Sequence, residues 1–208
     1  MYRMLLYSIT ITLAVQSTLI ANADCSNINA AETVSWTGKL LGAIAEDASC
    51  SQSSSDASFA ATSACNIFVG RVLQSVYSVS DFVVSPARPD QPFYTANEIA
   101  TLLQSGVWSG WTDLGTADSQ DVLSQGKALA DSGKLVVAVW QNPNANSPGH
   151  VALIGPGPLT PSGSWGLNTP VAASFVLNQP LKAFLGQPLS CAFGSDKNSA
   201  VHLWVKSS

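Results

Sequence analysis

Two hydrophobic periods divide this chain. Ile67, Phe68, Val69, Val72, Leu73 and Val76 recur at three- and four-residue intervals, which predicts a half-buried helix from Cys65 to about Tyr77, capped by Thr62 or Ser63. Thr95-Ala96-Asn97-Glu98 has the form of a capping box, in which the threonine and the glutamate three residues on satisfy each other's backbone N–H groups. It predicts a short helix that Gly106 closes. A third helix, from Asp118 to Ser132, carries Val122, Leu123 and Leu129 with the small Ala128 and Ala130, and stops at Gly133. Then the period changes. Lys134 to Trp140 is a continuous apolar run rich in β-branched residues, the pattern of a buried central strand. After a polar loop from Gln141 to Gly149, His150 to Ile154 repeats it. Further strands are expected over Val171 to Leu177 and Ala200 to Lys206. Helices first and strands afterwards predict an α+β domain with an antiparallel sheet.

The remaining segments are weaker. A short helix is expected around Ala30 to Ile44, and Ser51 to Ser55 is a loop by composition. Asp81 to Pro92, rich in proline and polar residues, reads as a long surface connection. Trp108 and Trp111 fall in a glycine-containing turn and are expected to cover the core, with contact to substrate near a cleft as the alternative.

The first residues follow a different logic. Arg3 supplies a positive start, Met4 to Ile20 an apolar stretch, and Ala21-Asn22-Ala23 the small-x-small pattern of a cleaved secretory signal. The stretch is broken by Ser8, Thr10, Thr12, Gln16, Ser17 and Thr18, which argues against a membrane anchor. The expected organisation is therefore a signal peptide at 1–23, an N-terminal extension at 24–59 and one domain at 60–208, secreted or periplasmic.

Composition narrows the function classes. With 46% hydrophobic and 11% charged positions in 208 residues, the chain has enough apolar material for one core. Nine Lys+Arg against 13 Asp+Glu give a net charge of −4, and removing the signal with Arg3 leaves −5. Such a balance offers no basic surface for nucleic acid or anionic lipid, so neither nucleic acid nor, after signal cleavage, a membrane is an expected partner. There is no GxxxxGKS, GxGxxG or CxxC, and His150 and His202 are the only histidines. No metal or organic cofactor is expected.

An exported chain tends to pair its cysteines, here Cys25, Cys50, Cys65 and Cys191. Two disulfides would allow three connectivities. Cys65, however, heads an amphipathic helix, where unpaired N–H groups and the helix dipole favour thiolate over thiol. If it stays a thiol, one disulfide forms among the other three, and the shorter loop favours Cys25 with Cys50 over a tie through Cys191. The same N–H groups suit a developing oxyanion. His150, at the start of a strand, is the candidate general base and acid. Asn168 and Ser174 are candidates for a third residue that orients the imidazole. Asn144 and Asn146, in the loop before His150, are candidates for substrate binding, since neutral amides pair with donors and acceptors alike. His202, late in the last strand, reads as structural.

Ala64-Cys65-Asn66-Ile67-Phe68-Val69, then Ser132-Gly133-Lys134-Leu135-Val136-Val137-Ala138, then Gly149-His150-Val151-Ala152-Leu153-Ile154 with Gly157-Pro158-Leu159, together resemble the papain-like NlpC/P60 and CHAP cysteine peptidases. The segment is most similar to the type VI secretion amidase effectors that cut peptidoglycan stem peptides. The resemblance spans about residues 60–206, with Trp111-Thr112-Asp113-Leu114 also familiar. It implies a papain-like domain with Cys65 as nucleophile and His150 as base, acting on peptidoglycan peptides, with an inhibitor or immunity protein as a candidate partner. The bond implied is that between D-glutamate and the diamino acid; an N-acetylmuramoyl-L-alanine amidase or another endopeptidase position is the runner-up. Two features depart from the pattern: this chain has its own export signal, and Asn66 stands where many relatives have serine. A non-catalytic secreted module that holds wall fragments or a protein partner is the alternative from a different class.

Overall fold

The computed structural model describes residues 64–88, 91–176 and 179–207. The signal, the N-terminal extension, the helix expected around Ala30 to Ile44, the loop from Ser51 to Ser55 and the cap expected at Thr62 or Ser63 lie outside the described residues.

The described residues open with helix α1 (Ala64–Tyr77), whose apolar stripe is the one read from its periodicity. A hairpin of β1 (Val83–Arg88) and β2 (Gln91–Phe93) follows where a surface connection was expected. Its prolines sit in a two-stranded ribbon, where a missing N–H breaks no central ladder. Val84 and Phe93 anchor it inside. Helix α2 (Ala96–Gln104) starts at the expected capping box, with both reciprocal bonds between Thr95 and Glu98 formed. Trp111 begins a strand, β3 (Trp111–Thr116), rather than ending a turn. The core role expected for both tryptophans holds: Phe82 lies 5.2 Å from the Trp108 ring and 5.6 Å from that of Trp111, and both pack on the core.

Helix α3 (Gln120–Asp131), capped by Ser119, leads into β4 (Leu135–Trp140) and β5 (His150–Ile154). A small hairpin of β6 (Thr160–Ser162) and β7 (Leu167–Thr169) precedes β8 (Val171–Val176), β9 (Gln179–Pro188) and β10 (Val201–Lys206). Six strands form one sheet in the order β3-β10-β4-β5-β8-β9, and every pair in it is antiparallel. The fold is α+β, as the order of patterns predicts. Among the described residues no helix is long and apolar enough to cross a membrane.

Strand alternation sorts the core into two layers. Val137, Val139, Val151, Leu153, Ala173 and Phe175 face α1 and α2. Val136, Ala138, Ala152, Ile154 and Ala172 face the other way, toward α3, Trp165 and Phe193. A Cβ at Gly126 of α3 would lie 2.7 Å from Leu203 Cδ2, so glycine there lets the helix close onto the sheet.

Candidate active site

Cys65 is the second residue of α1 and its side chain is fully buried. It belongs to the apolar layer beneath α1 and α2 and is outside any disulfide. One turn on, the Phe68 ring lies 4.7 Å from that of Phe175, which sets the head of α1 against β8. Cys191 is disulfide-bonded while Cys65 is not, so the disulfide is the tie through Cys191 and the expected Cys25–Cys50 pairing is corrected; the partner of Cys191 lies outside the described residues.

Asn66, next to the cysteine, is 1% exposed. Its Nδ2 donates to the carbonyl of Tyr94 at 2.9 Å and, at 3.5 Å, to that of Phe93. Its Oδ1 is buried with no hydrogen-bond partner, an arrangement that typically costs about 1–3 kcal/mol.

His150 heads β5 and is 8% exposed. Alternation turns its ring to the layer of Ala152 and Ile154, away from α1. There its Nε2 lies 2.7 Å from Ser174 Oγ on the adjacent strand β8, and the Phe193 ring meets it edge-on at 5.2 Å. Burial pushes its pKa from 6.5 down to about 4, so the imidazole is neutral at pH 7, the form a general base needs. Ser174 is itself fully buried. Of the two residues expected to orient the imidazole, the structure brings Ser174 to it. Asn168 lies exposed on β7, its backbone held by the Gln120 side chain of α3. Cys65 and His150 are not hydrogen-bonded to each other: the imidazole's partner is Ser174, and α1 packs against the opposite face of β5.

The loop before His150 does border a cavity, of about 760 Å³, but not with the asparagines expected. Gln141, Asn142, Pro143 and Ala145 line it, facing Tyr94 and Asn97. Asn144 and Asn146 are exposed and do not line it. Asn144 Oδ1 instead accepts from the backbone N–H of Asn146 at 3.1 Å, and Asn142 Oδ1 from that of Asn144 at 3.0 Å. These are local turns of the kind asparagine favours. Across the cavity Arg88 and Glu98 form an ion pair at 2.8 Å. Burial raises the Glu98 carboxyl, but the Thr95 N–H and the Arg88 guanidinium outweigh it and hold it below its ordinary pKa.

Asn97 is the residue that sequence reasoning missed, being read only as the interior of a capping box. Its Oδ1 accepts from Asn142 N–H and its Nδ2 donates to the Ser147 carbonyl, each at 2.9 Å, so one side chain folds the loop. A side chain at Gly149 would meet Asn97 and the Trp140 carbonyl oxygen, the latter at 2.5 Å, which requires glycine directly before His150. The available signal was an asparagine in a helix's first turn that the capping box does not use. His202 lies on β10, 2.9 Å from Asp113 Oδ2, in keeping with a structural role. Among the described residues no cluster of His, Cys, Asp and Glu is arranged to hold a metal ion.

No protein-family model matches the chain, and no curated protein matches it.

Proposed function

We propose that this chain is an exported cysteine amidase that cuts peptidoglycan stem peptides, built on a papain-like domain. The observation that carries the reading is the buried hydrogen bond between His150 and Ser174. A hydroxyl on the adjacent strand fixes the imidazole from its Nε2 side and leaves Nδ1 as the nitrogen for proton transfer. A cysteine heading a helix on the same sheet supports it. In the proposed reaction Cys65 Sγ attacks an amide carbonyl carbon while its proton passes to Nδ1. The tetrahedral intermediate then expels the amine, which takes that proton, and water hydrolyses the thioester. Backbone N–H groups in the first turn of α1 are the proposed donors to the oxyanion.

The reading requires the imidazole to reach the thiol around the first residue of β5 when substrate binds. The substrate bond proposed is D-glutamyl to diamino acid, with the lactyl–L-alanine amide as second choice. The test is digestion of purified muropeptides by the mature chain with mass analysis of the products. A cut at a stem-peptide amide, unaffected by a chelator, supports the proposal; intact muropeptides after prolonged incubation refute it.

The separation of Cys65 from His150 favours a second reading, a non-catalytic module that holds wall peptides in the cavity beside Tyr94 and Asn97. Calorimetric binding of muropeptides without any product, abolished by Ala145→Trp at the cavity rim, is the outcome that would select it.

A further inference from the structure

We propose that the cavity beside Tyr94 is a carboxylate-reading subsite, in which Arg88 receives a free carboxylate of a short peptide. The proposal rests on the wall-peptide reading for the ligand it names and needs no chemistry at Cys65. Among the described residues Arg88 is the only cationic one lining the cavity, and about half of its side chain is exposed. Its guanidinium is held in place. Nη1 donates to Glu98 Oε1 at 2.8 Å and to Gln91 Oε1 at 3.3 Å, and the group lies over the Tyr94 ring, 5.8 Å from its centroid. Nε and Nη2 have no hydrogen-bond partner among the described residues. The other polar side chains of the wall are already engaged. Asn97 bonds the loop through both Oδ1 and Nδ2, and Asn142 bonds Asn144 and Pro148 through its own. Thr101 Oγ1 donates to the Asn97 carbonyl and accepts from Gln141 Nε2. Both oxygens of Glu98 are taken too, Oε1 by Arg88 and Oε2 by Gln91 and Thr95.

The cavity thus offers two adjacent nitrogens of a fixed guanidinium, and two acceptor oxygens on one centre answer them, the geometry of a carboxylate. Glu98 balances the charge of Arg88, and the chain as a whole carries −4. Directed hydrogen bonds to a monoanion therefore supply the affinity, while a dianionic phosphate meets repulsion from Glu98. Gln141 Oε1, which has no partner among the described residues, accepts an amide N–H of the same peptide. The test follows the Nε–H resonance of Arg88 in nitrogen–proton correlation spectra of the mature chain, identified by its loss in Arg88→Lys. The probes are a purified muropeptide, acetyl-trialanine with a free carboxylate, the same tripeptide as its C-terminal amide, and inorganic phosphate. The expected result is a saturable shift with the muropeptide and the acid tripeptide, and binding at least about ten-fold weaker for the amide and for phosphate. Arg88→Lys keeps the charge and loses the fork, so acid and amide should bind it alike within about two-fold, read at the Gln141 side-chain amide. Equal binding of acid and amide by wild type, a preference that survives in Arg88→Lys, phosphate binding as tightly as the acid, or no shift with any probe overturns the proposal. Carboxylate-dependent binding of the tripeptide without binding of the muropeptide would refute the wall-peptide reading and leave the subsite standing.

Discussion

The two faces of the central sheet bury apolar side chains in different ways, and the difference explains where the polar groups sit. Under α1 and α2 the sheet presents bulky residues, Val137, Val139, Val151, Leu153 and Phe175, which fill the space to the helices and hold Cys65 dry. Toward α3 it presents Ala138 and Ala152 as cross-strand neighbours, with Ala172 beside them. There Gly126 and Ala130 of α3 let the helix approach closely. The first face is filled by side-chain volume, whereas the second combines Val136, Ile154 and Leu203 with small residues where α3 comes close. The start of β5 on the second face is where His150 and Ser174 bond under Phe193. A thiol is placed by packing and an imidazole by a hydrogen bond, on opposite sides of one strand.

The largest effect expected from breaking this contrast is at Phe68. Phe68→Ala empties the first face and should cost about 3–5 kcal/mol in chemical denaturation, since its ring is fully buried against Phe175. A loss under about 1 kcal/mol would mean that the α1 face is not held by volume.

Next is acid. The folded pKa of His150, about 4, lies below the ordinary 6.5, so between those values the unfolded chain binds the proton that the folded chain refuses. Stability from this group is complete above pH 6.5 and is lost as pH falls toward 4, by roughly 3 kcal/mol in all. In His150→Gln that part of the acid slope should vanish in urea titrations at pH 7, 5.5 and 4; an unchanged slope would place the imidazole in water.

On the second face, Gly126→Ala should cost about 1–3 kcal/mol by forcing α3 off Leu203, seen as a lower urea midpoint. A neutral result would mean the helix has room to spare. The smallest effect belongs to the loop: Asn144→Ala with Asn146→Ala should alter stability by no more than about 0.5 kcal/mol. It should also leave KM for muropeptides unchanged, because the cavity is lined by Gln141, Asn142 and Ala145 instead. A raised KM would restore those two amides to the binding role read from the sequence.

Where period and cap were strong, the sequence was legible: α1, the capping box of α2, α3, β4, β5, β8 and β10 all fall where the patterns put them. The elements that escaped have mixed signals. The strands β1 and β2 carry prolines that read as a loop, β3 contains Asp113 and Gly115, and β9 has Pro180 and Gly186. Each is made a strand by its partner rather than by its own propensity. At the site, Ser174 was legible as a polar residue in an apolar strand, and it does meet His150. Its relation to Cys65 was not, because a helix can pack on either face of a strand and alternation alone does not choose. Asn66 and Asn97 were hidden for a related reason, since their partners, Tyr94 and the loop after Gln141, are distant in sequence.

The central claim is that Cys65 and His150 act together despite lying on opposite sides of β5. It is tested most directly by incubating wild type, Cys65→Ala and His150→Ala with one purified muropeptide and following product by mass spectrometry, each variant first shown to be folded. The account predicts cleavage by wild type alone, with both variants slower by at least about a hundred-fold. Wild-type turnover by either folded variant would contradict it.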